Sequence, residues 1–132
     1  MKALRIVWMW LERAFLVGLF VQLLFIGMGV FPRKGDPSPF ALHRTWGYIL
    51  GDIAVLIFLV ALAARPGWKN VVMAFIVGVL TFVAQPLLVN ARTSAPIVAA
   101  FHPVDALVIF WLTLVLIKRS AALAASTVPK DA

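Results

Sequence analysis

The sequence predicts an all-α protein, a bundle of four transmembrane helices running up-down-up-down, and three observations predict it. Hydrophobic residues make up 64% of the 132 residues and charged residues 13%. The mean hydropathy is +1.03, more apolar surface than one soluble core of this length can hide. Four apolar stretches, residues 14–31, 41–64, 71–89 and 97–117, each approach the roughly 20 residues a helix needs to cross about 30 Å of hydrocarbon. They are joined by "PRKGDPSP", "RPGWKN" and "NARTSAP", short connections rich in turn formers that make sequential helices antiparallel neighbours. Strands of this size would leave backbone groups unpaired in lipid, so helices are the required form. One domain, 1–132, is expected, with the lipid bilayer as its first partner.

The first stretch follows Lys2 and Arg5 as a signal peptide would. Its apolar run is long, however, and "GMGVFPRK" offers no small-x-small cleavage pattern, so a retained helix is expected. Span two opens on His43 and carries Gly47, Gly51 and Asp52. Span three holds Gln85 and Pro86, and the proline is expected to kink it and free a carbonyl. Span four opens on "HPVDAL", where Pro103 suits a first helical turn and Asp105 suits the positive end of the helix dipole. The tail "SAALAASTVPKDA" reads as a frayed helical end followed by disorder.

The net charge of +7 does not point to nucleic acid, because the basic residues flank the spans without aromatic interleaving on a soluble face. It gives orientation instead. With the N-terminus cytoplasmic, Lys2, Arg5, Arg13, Arg65, Lys69, Lys118, Arg119 and Lys130 lie inside, and Arg33, Lys34, Arg44 and Arg92 outside. Eight against four places both termini in the cytoplasm. Trp8, Trp10 and Trp68 then fall at the inner interface and Trp46 near the outer one. Cysteine is absent, which excludes disulfides, thiolate metal sites and thiol catalysis.

The chain has two histidines, on alternate spans and on the same side. A lone histidine at a helix end is ordinarily an interfacial residue; the pairing changes that balance. Counted from Pro39 and Pro96, their depths differ by about 3 Å; counted from Arg65 and Lys118, by about 9 Å. In an up-down bundle, spans two and four are diagonal, on the order of 13 Å apart. That suits two imidazoles reaching one metal at the centre of a flat macrocycle. Without cysteine or a carboxylate cluster, His43 and His102 favour haem iron, as haem b, over zinc or calcium.

Gly47 and Gly51 follow His43 by four and eight residues, and would let a porphyrin lie against the backbone or simply allow close helix packing. Arg44 and Arg92, near the outer ends, are candidates for haem propionates or for plain contact with water. Asp105, three residues after His102, is a candidate for orienting its ring. Gln22 and Gln85 are expected to be interhelical hydrogen-bond donors. Each precedes a histidine, by 21 and 17 residues, a weak internal repeat of two hairpins. Trp111 and the phenylalanines read as packing and lipid-facing bulk. Asp52, nine residues after His43, faces nearly the opposite way. An intramembrane aspartate avoids lipid, so its face is expected to meet a membrane-protein partner or a second protomer, or to line a separate proton or ion path.

At "LHRTWG" (42–47) and "HPVDAL" (102–107) the chain resembles a family of small four-helix bacterial membrane proteins. In that family L-H-R-x-x-G opens the second helix and H-P-x-[ND]-A-L the fourth. The resemblance covers nearly the whole chain and implies the fold and a bacterial cytoplasmic membrane location, with no assigned activity. More distantly, a histidine and a glycine at the head of two spans is similar to membrane b-type cytochromes. That likeness implies His43 and His102 as axial ligands of one haem, in electron transfer or in haem or redox sensing. Two readings from other classes stand beside it: an accessory subunit or assembly factor of a larger membrane complex, and a transporter or channel using His43, Asp52, Gln85 and Asp105.

Overall fold

The computed structural model describes residues 2–125. Among them the fold is all-α, with four helical spans long and apolar enough to cross a membrane, and the chain is a membrane protein. Helix α1 is Lys2–Val30, α2 Ala41–Ala64, and α3 the span Trp68–Asn90; a single turn, α4 (Pro96–Ala99), leads into α5 (His102–Ala125). α1 packs on α2 and α5, and α3 packs on the same two helices. α2 and α5 therefore lie on one diagonal of a square bundle, as expected.

The second and third spans keep close to their expected bounds. The first starts twelve residues earlier than the apolar run, since "KALRIVWMWLER" contains no helix breaker; Lys2 is exposed, Arg5 and Arg13 are half-buried, and Glu12 alone among its charges is buried. The fourth runs on past Ile117 for the same reason. Lys130 and the expected disordered end of the tail lie outside the described residues. Between α2 and α3, Arg65 takes a left-handed conformation (φ 49°) and donates its N–H to the Ala61 carbonyl at 3.0 Å. Pro66 ends the helix, and Gly67 (φ 97°) turns the chain into α3. Arg5 adds a side-chain cap, donating to the carbonyls of Ala64 and Arg65 at 3.3 and 3.2 Å.

The inward stripes follow alternating steps of four and three residues, the spacing of helices packed nearly parallel. On α1 the stripe is Trp8, Glu12, Phe15, Leu19 and Gln22. On α2 it is His43, Gly47, Leu50, Ala54, Ile57, Ala61 and Ala64; on α5, His102, Ala106, Ile109, Thr113, Leu116 and Ser120. Small residues dominate where backbones approach, as at Gly78, where an added Cβ would sit 3.7 Å from the Ala54 carbonyl oxygen. Such stripes let membrane helices gain van der Waals contact without a hydrophobic driving force. The half of the bundle holding Trp8, Phe15, Ala61, Ala64 and Leu116 is sealed. The histidine half is hollow.

Candidate functional site

The hollow half is built from two hairpins that use glutamine and histidine in the same way. In α1–α2, the Gln22 side-chain amide donates to the backbone carbonyl of His43 at 3.0 Å. In α3–α5, the Gln85 amide donates to the backbone carbonyl of His102, also at 3.0 Å. The weak repeat in the sequence is thus a repeat in geometry: each glutamine ties the head of the next span to its own. Inside a membrane such a bond is worth about 0.6–2 kcal/mol.

Which residue of the third span faces His102 is set by a π-helical segment, Leu80–Ala84. Pro86 has no N–H and its ring crowds the carbonyl four residues back, so the α-helical ladder cannot continue unchanged. The Gln85 N–H instead reaches the Leu80 carbonyl, five residues back. On α3 the inward stripe reads Asn70, Ala74, Val77, Thr81 and then Gln85, a step of four where the rhythm calls for three. The extra residue in the wide turn brings Gln85, rather than Ala84, to face His102. It also swings Phe82 against α2, where a Cβ on Gly51 would meet the Phe82 ring at 3.1 Å.

The two imidazoles meet across the diagonal with ring centres 6.3 Å apart and planes at 77°, which settles the register that the flanking residues left open. His43 Nδ1 lies 3.3 Å from the Gln22 backbone carbonyl. A carbonyl only accepts, so Nδ1 carries the proton and Nε2 the lone pair. The Gln22 amide nitrogen, 3.4 Å from that Nε2, donates toward it. His102 differs, since its Nδ1 is buried and has no hydrogen-bond partner. Asp105 does not orient this ring as expected. Its Oδ2 accepts from the Gln85 amide at 2.8 Å, because the glutamine stands between the third span and the first turn of α5.

Both histidines line a cavity of about 660 Å³, within the range of small-molecule and cofactor sites. Its wall includes Gly47, Gly51, Thr81 and Ile109, and its rim Arg44, Arg92 and Tyr48. Of the six residues singled out from the sequence, His43, His102, Gly47, Arg44 and Arg92 therefore converge on one space, and Asp105 braces it through Gln85. Gly47 packs closely against α1: a Cβ there would lie 3.1 Å from the Gln22 amide nitrogen. Arg44 and Arg92 are both exposed at the mouth, Arg92 donating to the Val89 carbonyl at 3.2 Å. Asp52 takes no part, and is exposed on the outer face of α2. Among the described residues no group of three or more His, Asp or Glu side chains gathers as a metal cage.

Sequence reasoning passed over Glu12. It is 0% exposed, with neither carboxylate oxygen nor the neighbouring Trp8 Nε1 in a hydrogen bond, and Ser120 is the polar side chain beside it. Its place beside Arg13 reads as a charged flank. The signal was there nonetheless, because Trp8, Glu12, Phe15 and Leu19 share one helical stripe. Close by, Arg119 donates to Asn70 Oδ1 at 3.1 Å and Asn70 donates to the Pro66 carbonyl at 2.8 Å, tying α5 to the start of α3.

Fold and cavity together define a small four-span membrane protein with a diagonal pair of histidines at one end. Residues 22–92, more than half of the chain, match DUF6220, a family of unknown function, and the protein belongs to that family. The match begins at Gln22 and ends at Arg92, so it contains His43, Gly47 and Gln85, while His102 and Asp105 lie beyond it. No curated protein and no solved structure matches the chain.

Proposed function

We propose that this protein binds one haem b between His43 and His102 and serves electron exchange or redox sensing in a membrane. The observation that carries the reading is the histidine pair itself. With metal–nitrogen bonds of about 2 Å, imidazoles on opposite sides of one ion have ring centres about 6 Å apart. The separation here is 6.3 Å. The donor set fits as well: His43 is held through Nδ1 by a backbone carbonyl, the usual support of a metal-bound imidazole, and its Nε2 lone pair, toward which the Gln22 amide donates, would turn from that amide to the iron. His102 Nδ1 is a buried atom awaiting a partner, and the cavity is lined mainly by apolar side chains. Arg44 and Arg92 at its mouth are placed for carboxylates that stay near water. A haem held by these two histidines would supply one-electron chemistry.

The likeness of the motifs to membrane b-type cytochromes supports the same reading. The test is spectroscopic. Protein made with ample haem should be coloured, with a Soret band that sharpens and shifts on reduction and narrow visible bands in the reduced form. A colourless protein ends the reading and leaves that of an accessory subunit or assembly factor.

The charge count around the spans supports a cavity facing outward from the cytoplasm, with both termini inside. A reporter fused after residue 132 should be active in the cytoplasm, and one inserted at Gly35–Pro37 should report the outside. The reverse pattern would put the histidines on the cytoplasmic side.

A further inference from the structure

Two side chains are out of place on the outer surface of the bundle. Asp52 sits at the midpoint of α2, exposed, with no hydrogen bond to a described residue. An acid at that depth facing lipid is costly, whether it is charged or merely unpaired. Trp111 sits near the midpoint of the fourth span, 61% exposed. Tryptophan prefers the membrane interface, where its indole N–H meets water or headgroups. At mid-depth that donor faces hydrocarbon.

The positions of the two are related. Asp52 is nine residues past His43 and Trp111 is nine past His102. Nine residues are two and a half helical turns, so each points directly away from its histidine, about 13.5 Å further along the helix. Because the histidine rings meet, Asp52 and Trp111 lie at one depth, on diagonal helices that run in the same direction, and on opposite sides of the bundle. One is a bare acceptor and the other a bare donor.

We propose that the protein assembles with copies of itself, α2 of one protomer against α5 of the next, with the Asp52 carboxylate accepting a hydrogen bond from the Trp111 indole N–H across the contact. Copies in one membrane share their orientation, so the matching depth within a protomer is a matching depth between protomers. The flanking surfaces are apolar and exposed on both sides: Ile49, Leu56 and Leu59 on α2, and Val104, Leu107 and Val108 on α5. Since the two faces are opposite, the contact is head-to-tail rather than two-fold, and repeats as a row or a wide ring. It does not involve the cavity and is independent of haem.

The absence of native cysteine makes the test direct. Ile49→Cys and Val108→Cys are each six residues past their histidine and so share a depth. The two variants, differently tagged and co-expressed, should form a mixed disulfide in native membranes under mild oxidation, well above either like-with-like pair. Asp52→Leu or Trp111→Phe introduced into the partners should lower that yield about tenfold, the factor that one membrane hydrogen bond of roughly 1.4 kcal/mol supplies. Trp111→Phe keeps the ring and removes only the donor, and its retention in membranes at the wild-type level controls for folding. The proposal is overturned if like pairs of Ile49→Cys dominate, if no cross-link forms, or if cross-linking survives loss of the indole N–H. A single protomer per spot in photobleaching of sparse bilayers would overturn it as well.

Discussion

His43→Ala and His102→Ala are each expected to abolish the low-spin haem spectrum, with loss of most bound haem, while the helical content and the membrane yield stay at the wild-type level. The expectation follows from where the rings stand. Each imidazole would supply one nitrogen to the haem iron, and each stands on a helix head tied to its neighbour through glutamine, at 3.0 Å in both hairpins. Removing a ring takes away a ligand and leaves those ties in place. His102→Gly, which opens the same space without a ligand, should recover a six-coordinate spectrum in millimolar imidazole. Gln22→Ala should leave the spectrum nearly unchanged, because the His43 Nδ1 proton goes to the main-chain carbonyl of Gln22, which alanine retains. Wild-type spectra in both histidine-to-alanine variants would sink the haem reading, whatever the cavity holds.

Much of the bundle was legible because membrane helices write their packing in a simple rhythm. The α2 stripe from His43 to Ala64 alternates steps of four and three without a break, so periodicity alone turns His43 inward and Asp52 outward. The diagonal placement of the histidine spans followed from short loops. The depth of the rings did not, since counting from flanking prolines and from flanking basic residues gave different answers. The reason lies at the far ends of the two helices: α2 stops at Ala64, just before Arg65, whereas α5 runs on through Lys118 and Arg119 to Ala125, so the basic residues do not mark one depth. Asp105 was read from its spacing to His102, yet spacing on one helix says nothing of a glutamine arriving from another. Glu12 went unread: it stands beside Arg13, where a charge draws no notice, although its stripe carries it into the sealed half of the bundle.

Gln85→Leu is expected to be the most destabilising change among the polar residues of the site, and more costly than Gln22→Leu. Both remove an amide that donates to a histidine carbonyl at the head of the next span. Only Gln85 also donates to a carboxylate, Asp105 Oδ2 at 2.8 Å. Losing the shared term costs about 0.6–2 kcal/mol in each hairpin. Stranding an acceptor that is half-buried adds about 1–3 kcal/mol in the second. Unfolding in mixed detergent micelles should therefore rank wild type above Gln22→Leu and Gln22→Leu above Gln85→Leu. The carboxylate can be isolated by a double-mutant cycle with Asp105→Ala. If Asp105 is the extra cost, the double variant should be more stable than Gln85→Leu alone, since the stranded group has gone. If the double variant is weaker by the sum of the two single losses, the amide and the carboxylate act separately, and the second hairpin is closed by packing around the Pro86 bulge instead.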